Sequence, residues 1–232
     1  MNDFFKNYVT TAFDGNSQAT FKFSQFHYNY RKYFPRSFNR RLLDIGVGRG
    51  EMLSCMNSWG YDNYEGVDIS PSTIDFCQRL GLNCSQTEDT ATWLAARLNC
   101  FDIITCLDVV EHVPRDASIE FMTAIRHALT SEGIAIIQVP NLQAPDGHLH
   151  HFNDITHVVG FIEHSMSQLL KNSGFSSYEF SAFEEFVPGR RIFRLRRALR
   201  SAFHRKIRFE RWLNGNINPR ILTPVFYVAA RK

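Results

Sequence analysis

The chain has 232 residues, of which 44% are hydrophobic, 14% aromatic and 21% charged. That is room for one α/β domain with a buried core rather than two large domains, and it excludes a disordered, collagen-like or coiled-coil chain. The net charge of +3 is uneven: Arg190 to Arg211 hold ten Lys or Arg against one acid, Glu210, while the rest carries 16 basic and 22 acidic residues, an acidic body with one basic arm.

Residues 1–39 are polar and aromatic, with Phe21, Phe23, Phe26, Tyr28, Tyr30, Tyr33 and Phe34 spaced irregularly before Pro35, which reads as a short helical arm or cap against a main domain of 40–232. Apolar runs then alternate with helical stretches, as in a parallel sheet with crossover helices. The strand candidates are Leu42–Val47, Tyr64–Ile69, a weak Asn83–Gln86, Phe101–Leu107 and Gly133–Val139. Helix candidates between and after them are Glu51–Trp59, Pro71–Leu80, Thr92–Leu98, Ala117–Leu129 and Ser165–Ser173, with Ser70-Pro71 as a capped start. Tyr178, Phe180 and Ala182 alternate as one closing strand and Pro224–Ala230 forms another, separated by a basic amphipathic helical insertion at about 188–219. No apolar run reaches the roughly 18 to 20 residues of a spanning helix, and Met1 to Thr20 lacks the basic and apolar regions of a secretory leader. Cys55, Cys77, Cys84, Cys100 and Cys106 form no Cys-x-x-Cys pair and are odd in number, which argues for reduced thiols in a cytoplasmic protein.

The most informative segment is Leu42 to Leu53, a strand running through Gly46-x-Gly48-x-Gly50 into a helix. Glycines suit a backbone with positive φ or one that a ligand approaches closely. The dinucleotide fingerprint wants Gly or Ala three residues after its second glycine; here Glu51 stands there, and its carboxylate would repel a diphosphate. A cofactor with an adenosine and no phosphates fits better. Asp68 ends the second strand, where an acid can accept both ribose hydroxyls, and Glu88-Asp89-Thr90 follow the third, where a carboxylate can take an adenine amino group.

These residues resemble the class I S-adenosylmethionine-dependent methyltransferases, through Leu43 to Gly50, Gly66 to Ser70, Phe101 to Ile104, Asp108 to Val113, Leu129 to Gly133 and Val139-Pro140-Asn141. The resemblance covers about 40–186 and returns at Pro224 to Lys232. It implies a Rossmann-like, doubly wound seven-stranded sheet, mostly parallel with an antiparallel last strand. It also implies S-adenosylmethionine as cofactor, with Gly46, Gly48 and Gly50 under the methionine moiety, Asp44 at its amino group, Asp68 at the ribose, Asp89 and Thr90 beside the adenine, and Ile69 and Leu107 completing the site. Asp154-Ile155-Thr156-His157, Phe161 and Ser165 to Phe175 are similar to a bacterial group associated with surface-glycan assembly, which implies a sugar hydroxyl of a surface polysaccharide or its lipid-linked precursor as acceptor. A quinone-like or phenolic small molecule is the alternative acceptor, with the aromatics of 21–34 as its pocket, and a non-catalytic cofactor-binding partner of a glycan-assembly complex is the rival reading.

Methyl transfer to a hydroxyl needs alignment, exclusion of water and removal of a proton. His112, after the fourth strand, is the candidate base, with Glu111 and His157 as further catalytic candidates. Asp108, Glu111 and His112 have helical spacing and, with His151, form a candidate divalent-metal set, although a metal is not favoured; the Glu-His element is similar to that of ubiquinone-pathway and small-RNA O-methyltransferases. His148, His150 and His151 also read as a solvated loop. No Asn/Asp-Pro-Pro-aromatic segment follows the fourth strand, so a flipped nucleobase is disfavoured as acceptor and nucleic acid as partner. The Arg190 to Arg211 arm can solvate its basic face or lie on an anionic membrane, which would put the protein on the inner face of that membrane.

Overall fold

The computed structural model describes residues 19–185 and 191–232. The segment 1–18 and Arg190, with the expected start of the insertion at 188, lie outside the described residues. In chain order the elements are α1 (Ala19–Tyr30), β1 (Leu42–Ile45), α2 (Glu51–Ser58), β2 (Tyr64–Asp68), α3 (Pro71–Arg79), β3 (Cys84–Gln86), α4 (Thr90–Ala95), β4 (Phe101–Leu107), α5 (Ser118–Ala128), β5 (Leu129–Pro140), α6 (Gly147–Phe152), α7 (Glu163–Asn172), β6 (Ser177–Ala182), α8 (Arg191–Leu213) and β7 (Val225–Arg231), with 3₁₀ turns at Arg31–Tyr33 and Val110–His112.

Seven strands form one sheet in the order β3-β2-β1-β4-β5-β7-β6. The pairs from β3 to β5 are parallel, and β7 runs antiparallel between β5 and β6, so the expected doubly wound sheet with an antiparallel last strand is present. All four residues of β1 are buried, as a strand covered on both faces requires. Alternation along the strands divides the core in two: Leu43, Ala135 and Ile137 pack with α4, α5 and α7, whereas Leu42, Ile134 and Ile136 pack with α1, α2 and α3.

Local chemistry explains the boundaries. Ser70 Oγ accepts from Thr73 N and Pro71 takes the first turn of α3. Asp89 caps α4, which therefore starts at Thr90 rather than Thr92. Ser165 Oγ accepts from Ile162 N, which moves the start of α7 forward to Glu163. The N-terminal aromatics do more than lean on the domain. Tyr30 is fully buried, meets Tyr227 edge-on at 5.1 Å and donates its hydroxyl hydrogen bond to Gln138 Oε1; Phe26 and Phe34 are buried in the same layer. No described helix is long and apolar enough to cross a membrane. The described cysteines are all free, four of them buried.

Candidate active site

The strand order reverses between β1 and β4, and an open parallel sheet binds ligands in the crevice at the carboxyl ends of such a pair. A cavity of about 700 Å³ lies there. On its β1–β3 side, Gly46 and Gly48 have φ of 74° and 50°. A Cβ on Gly46 would lie 2.3 Å from Val109 Cγ2, so the turn needs glycine to close on the loop after β4; a Cβ on Gly48 would meet nothing within 4 Å and would project into open space at the cavity wall. Asp68 Oδ1 accepts from Ser70 N at 2.8 Å and Oδ2 from Gly48 N at 3.4 Å, which ties the end of β2 to that turn. Asp44 is buried, accepts from Thr105 Oγ1 at 2.6 Å, and has its pKa pushed up to about 8, first by burial. With Glu51, Asp68, Glu88 and Asp89 also lining this side, and Lys22 held by Glu51 at 3.2 Å, its charge suits a cationic ligand and opposes a diphosphate.

Ile69, Thr90 and Leu107 line the same side. Two residues differ from their expected roles. Gly50 is not among the lining residues: with φ of 74° it starts α2, and the space of its missing Cβ is taken by Leu82 Cδ1 at 2.3 Å, so it serves helix packing. Asp89 lines the cavity, but its carboxylate already caps α4 through Ala91 N, Thr92 N and Thr92 Oγ1, and those bonds hold its pKa below the usual range.

The other side of the cavity is made by the end of β4 and the segment after β5. His112 Nδ1 lies 2.8 Å from Thr156 Oγ1, whose own proton goes to Asp154 Oδ1 at 2.6 Å. Thr156 therefore accepts from Nδ1–H, and neutral His112 carries its lone pair on Nε2. Burial and the neighbouring His157 lower the His112 pKa to about 4, so the ring is neutral at physiological pH. His157 Nδ1 donates to the His151 carbonyl at 2.9 Å, leaving its Nε2 at 3.8 Å from Glu111 Oε1; the His112 and His157 rings meet at 4.6 Å. The Glu111 carbonyl accepts from Val158 N and Val159 N, which joins the two segments. Its side chain is buried with neither carboxylate oxygen hydrogen bonded, and burial raises its pKa far above the usual range.

The expected helical turn through Asp108, Glu111 and His112 is not formed. Asp108 has φ of 54°, a left-handed backbone, and its Oδ2 accepts from Gln138 Nε2 at 2.8 Å. Among the described residues the candidate metal set is Glu111, His112 and His157, whose donor atoms lie within 4.8 Å of one another. His151 stacks on His157 at 5.7 Å outside that set and outside the cavity lining. Of the aromatics between 21 and 34, Phe26 is the one that lines the cavity among the described residues. Sequence reasoning missed the roles of Asp154 and Thr156, although their motif was visible. It also missed Lys22 and Gln138, for which no local pattern exists. Tyr30, Gln138 and Asp108 form a hydrogen-bond chain from α1 to the loop that precedes Glu111.

A family model described as a methyltransferase domain matches residues 21–179. A ubiquinone biosynthesis O-methyltransferase from Neisseria meningitidis serogroup C is 28% identical over 120 residues, 48% of this chain and 48% of that protein. Another from Cereibacter sphaeroides is 33% identical over 105 residues, 44% of this chain and 41% of that protein. The chain spans about half the length of the curated relatives it matches. Among solved structures, a SAM-dependent methyltransferase from Archaeoglobus fulgidus has a TM-score of 0.68 at 21% identity, over 93% of this chain and 97% of that one. A 1,6-didemethyltoxoflavin-N1-methyltransferase from Burkholderia thailandensis, with 1,6-didemethyltoxoflavin and S-adenosylhomocysteine bound, has a TM-score of 0.61 at 16% identity, over 99% and 85%. At these identities the likeness shows the fold.

Proposed function

Since the chain belongs to the methyltransferase-domain family and has the fold of S-adenosylmethionine-dependent methyltransferases, we propose that it moves the methyl group of S-adenosylmethionine to a hydroxyl oxygen of a small phenolic or quinol-like acceptor. The observation that carries this reading is the chain Asp154–Thr156–His112, which orients a neutral imidazole ring that lines the cavity. When bound, S-adenosylmethionine supplies a methyl group on a sulfonium that departs as a neutral thioether. Asp44 would balance its positive charge and Asp68 would hold its hydroxyls, with the Gly46–Gly48 turn leaving room for it. His112 would take the proton of the acceptor hydroxyl as that oxygen is methylated.

The apolar part of the cavity wall, set beside the polar Glu120, Asn153 and Asp154, supports this acceptor class. Val109, Val113, Pro114, Phe121 and Pro140 suit a flat apolar ring better than a polyhydroxylated sugar, and the curated relatives are named as ubiquinone biosynthesis O-methyltransferases. A sugar hydroxyl on a surface polysaccharide or a lipid-linked glycan is the second acceptor reading, favoured by the 154–157 motif. Turnover with radiolabelled S-adenosylmethionine and a panel of catechols and hydroquinones, set against lipid-linked glycans, separates them: methylated phenol supports this reading, and product from glycans alone overturns it.

A metal-assisted variant rests on the buried carboxyl of Glu111, neither oxygen of which is hydrogen bonded. With two imidazole nitrogens beside it, it fits a divalent ion, which when bound would polarise the acceptor oxygen; Glu111, His112 and His157 would hold it. His112 would then be a ligand and not the base. Activity that is lost on chelation and returns with magnesium or zinc selects this variant; activity indifferent to chelation selects the base.

A further inference from the structure

The exposed side of α8 has no place in methyl transfer as described. Its inner side is fixed: Phe193 is buried, Arg200 makes a double hydrogen bond to Glu184 at 2.8 and 2.6 Å, Arg208 donates to the carbonyls of Pro219 and Arg220, and Arg211 Nη2 donates to the Gln143 carbonyl at 2.8 Å. On the outer side Ile192, Leu195, Leu199, Phe203, Phe209 and Leu213 are each at least half exposed. With the 3.6-residue period they fall within an arc of roughly 120°, which also carries the exposed Lys206–Glu210 ion pair at 3.6 Å, with Arg194 and Arg205 along one margin and Arg196 along the other. Solvated charge alone would not need that apolar arc, and its basic margins match an anionic surface.

Position adds the second observation. β6 ends and β7 begins at the sheet edge that carries the cavity, since Ala182 pairs with Phe226 and Pro140 with Val225, and Val225 lines the cavity. The helix between them therefore leaves and rejoins the sheet at that edge. The Arg211 bond to Gln143 joins its end to the segment in which exposed Leu149, Phe152 and Ile155 alternate with cavity-lining His150, Asn153 and Asp154.

We propose that α8 lies flat on an anionic phospholipid membrane, apolar arc toward the acyl chains and arginines at the phosphates, so that the cavity mouth by α6 draws its acceptor from the bilayer. The acceptor clause rests on the methyltransferase reading; the docking does not. The test is sedimentation of the full chain with sucrose-loaded vesicles of phosphatidylcholine, with and without phosphatidylglycerol. Emission of Trp212, which is exposed at the end of α8, is read in parallel. The expected result is binding at least about tenfold tighter to the anionic vesicles, weakened by salt, with a blue shift of Trp212. The Leu195→Asn/Leu199→Asn variant should lose about tenfold in vesicle affinity while its circular-dichroism spectrum and Tm are unchanged, which shows that it is folded. Equal binding to neutral and anionic vesicles, or anionic binding untouched by that variant as a nucleic-acid surface would give, overturns the proposal. So does a stable dimer that the variant converts to monomer. Vesicle binding needs neither cofactor nor acceptor, so failure of the methyltransferase reading would leave this result standing.

Discussion

On the β1–β3 side of the cavity, recognition groups come from short contiguous segments and are already braced: the Asp68 carboxylate is bonded to the backbone of its own strand end and of the glycine turn, and Asp44 to Thr105. Around His112 the reverse holds. Groups 44 residues apart in sequence meet across a loop, Asp108 holds a left-handed backbone, and the Glu111 carboxylate is buried without a hydrogen bond. The first side is shaped for a ligand whose charge and outline are constant; the second keeps one buried carboxyl without a hydrogen bond beside the imidazoles of His112 and His157. One side should therefore govern affinity and the other rate.

The largest effect that separates the two sides is expected from His112→Ala, which should lower kcat by about 10² to 10⁴-fold while S-adenosylmethionine affinity stays within about twofold. A matching loss of cofactor affinity would merge the two sides. Thr156→Val should reduce kcat by roughly tenfold, because the ring keeps its place but loses the partner that sets its tautomer; Thr156→Ser should restore most of the rate, a recovery that a merely space-filling role would not produce.

The smallest effect lies on the cofactor side and is read as pH dependence. The native pKa of Asp44 is raised to about 8, so between about pH 4 and 8 the folded protein keeps a proton that the unfolded chain has released, and stability falls as pH rises through that window. Asp44→Asn should remove this contribution and narrow the difference in Tm between pH 5.5 and 8 by roughly a few degrees. The same variant should weaken S-adenosylmethionine binding, and calorimetry in two buffers of different ionisation enthalpy should find proton release on binding to the wild type but not to the variant. An unchanged pH dependence would place the titrating group elsewhere.

The difference between the sides also explains what the sequence disclosed. The place of the glycine turn and of Asp68 at the cavity was legible because each position is fixed within a few residues of backbone. Gly50 looked like its neighbours, but the atom that demands a glycine there, Leu82 Cδ1, belongs to the loop after α3. Asp108 was misread because helical spacing was assumed across a backbone that turns left-handed at that residue. His112 and Thr156 were each visible in a motif, whereas their contact depends on how the segment after β5 folds back through Val158 and Val159 onto Glu111. The role of Tyr30 needs Gln138 and Tyr227, from β5 and β7, and no local period in α1 reports it.

The most direct measurement is titration calorimetry of S-adenosylmethionine and S-adenosylhomocysteine into the wild type and into Asp68→Ala. Micromolar binding to the wild type, weakened about 10- to 100-fold in the variant by loss of charge-assisted hydrogen bonds, is the predicted result. Folded wild type that binds neither ligand, or a variant that binds as tightly as the wild type, would contradict the account.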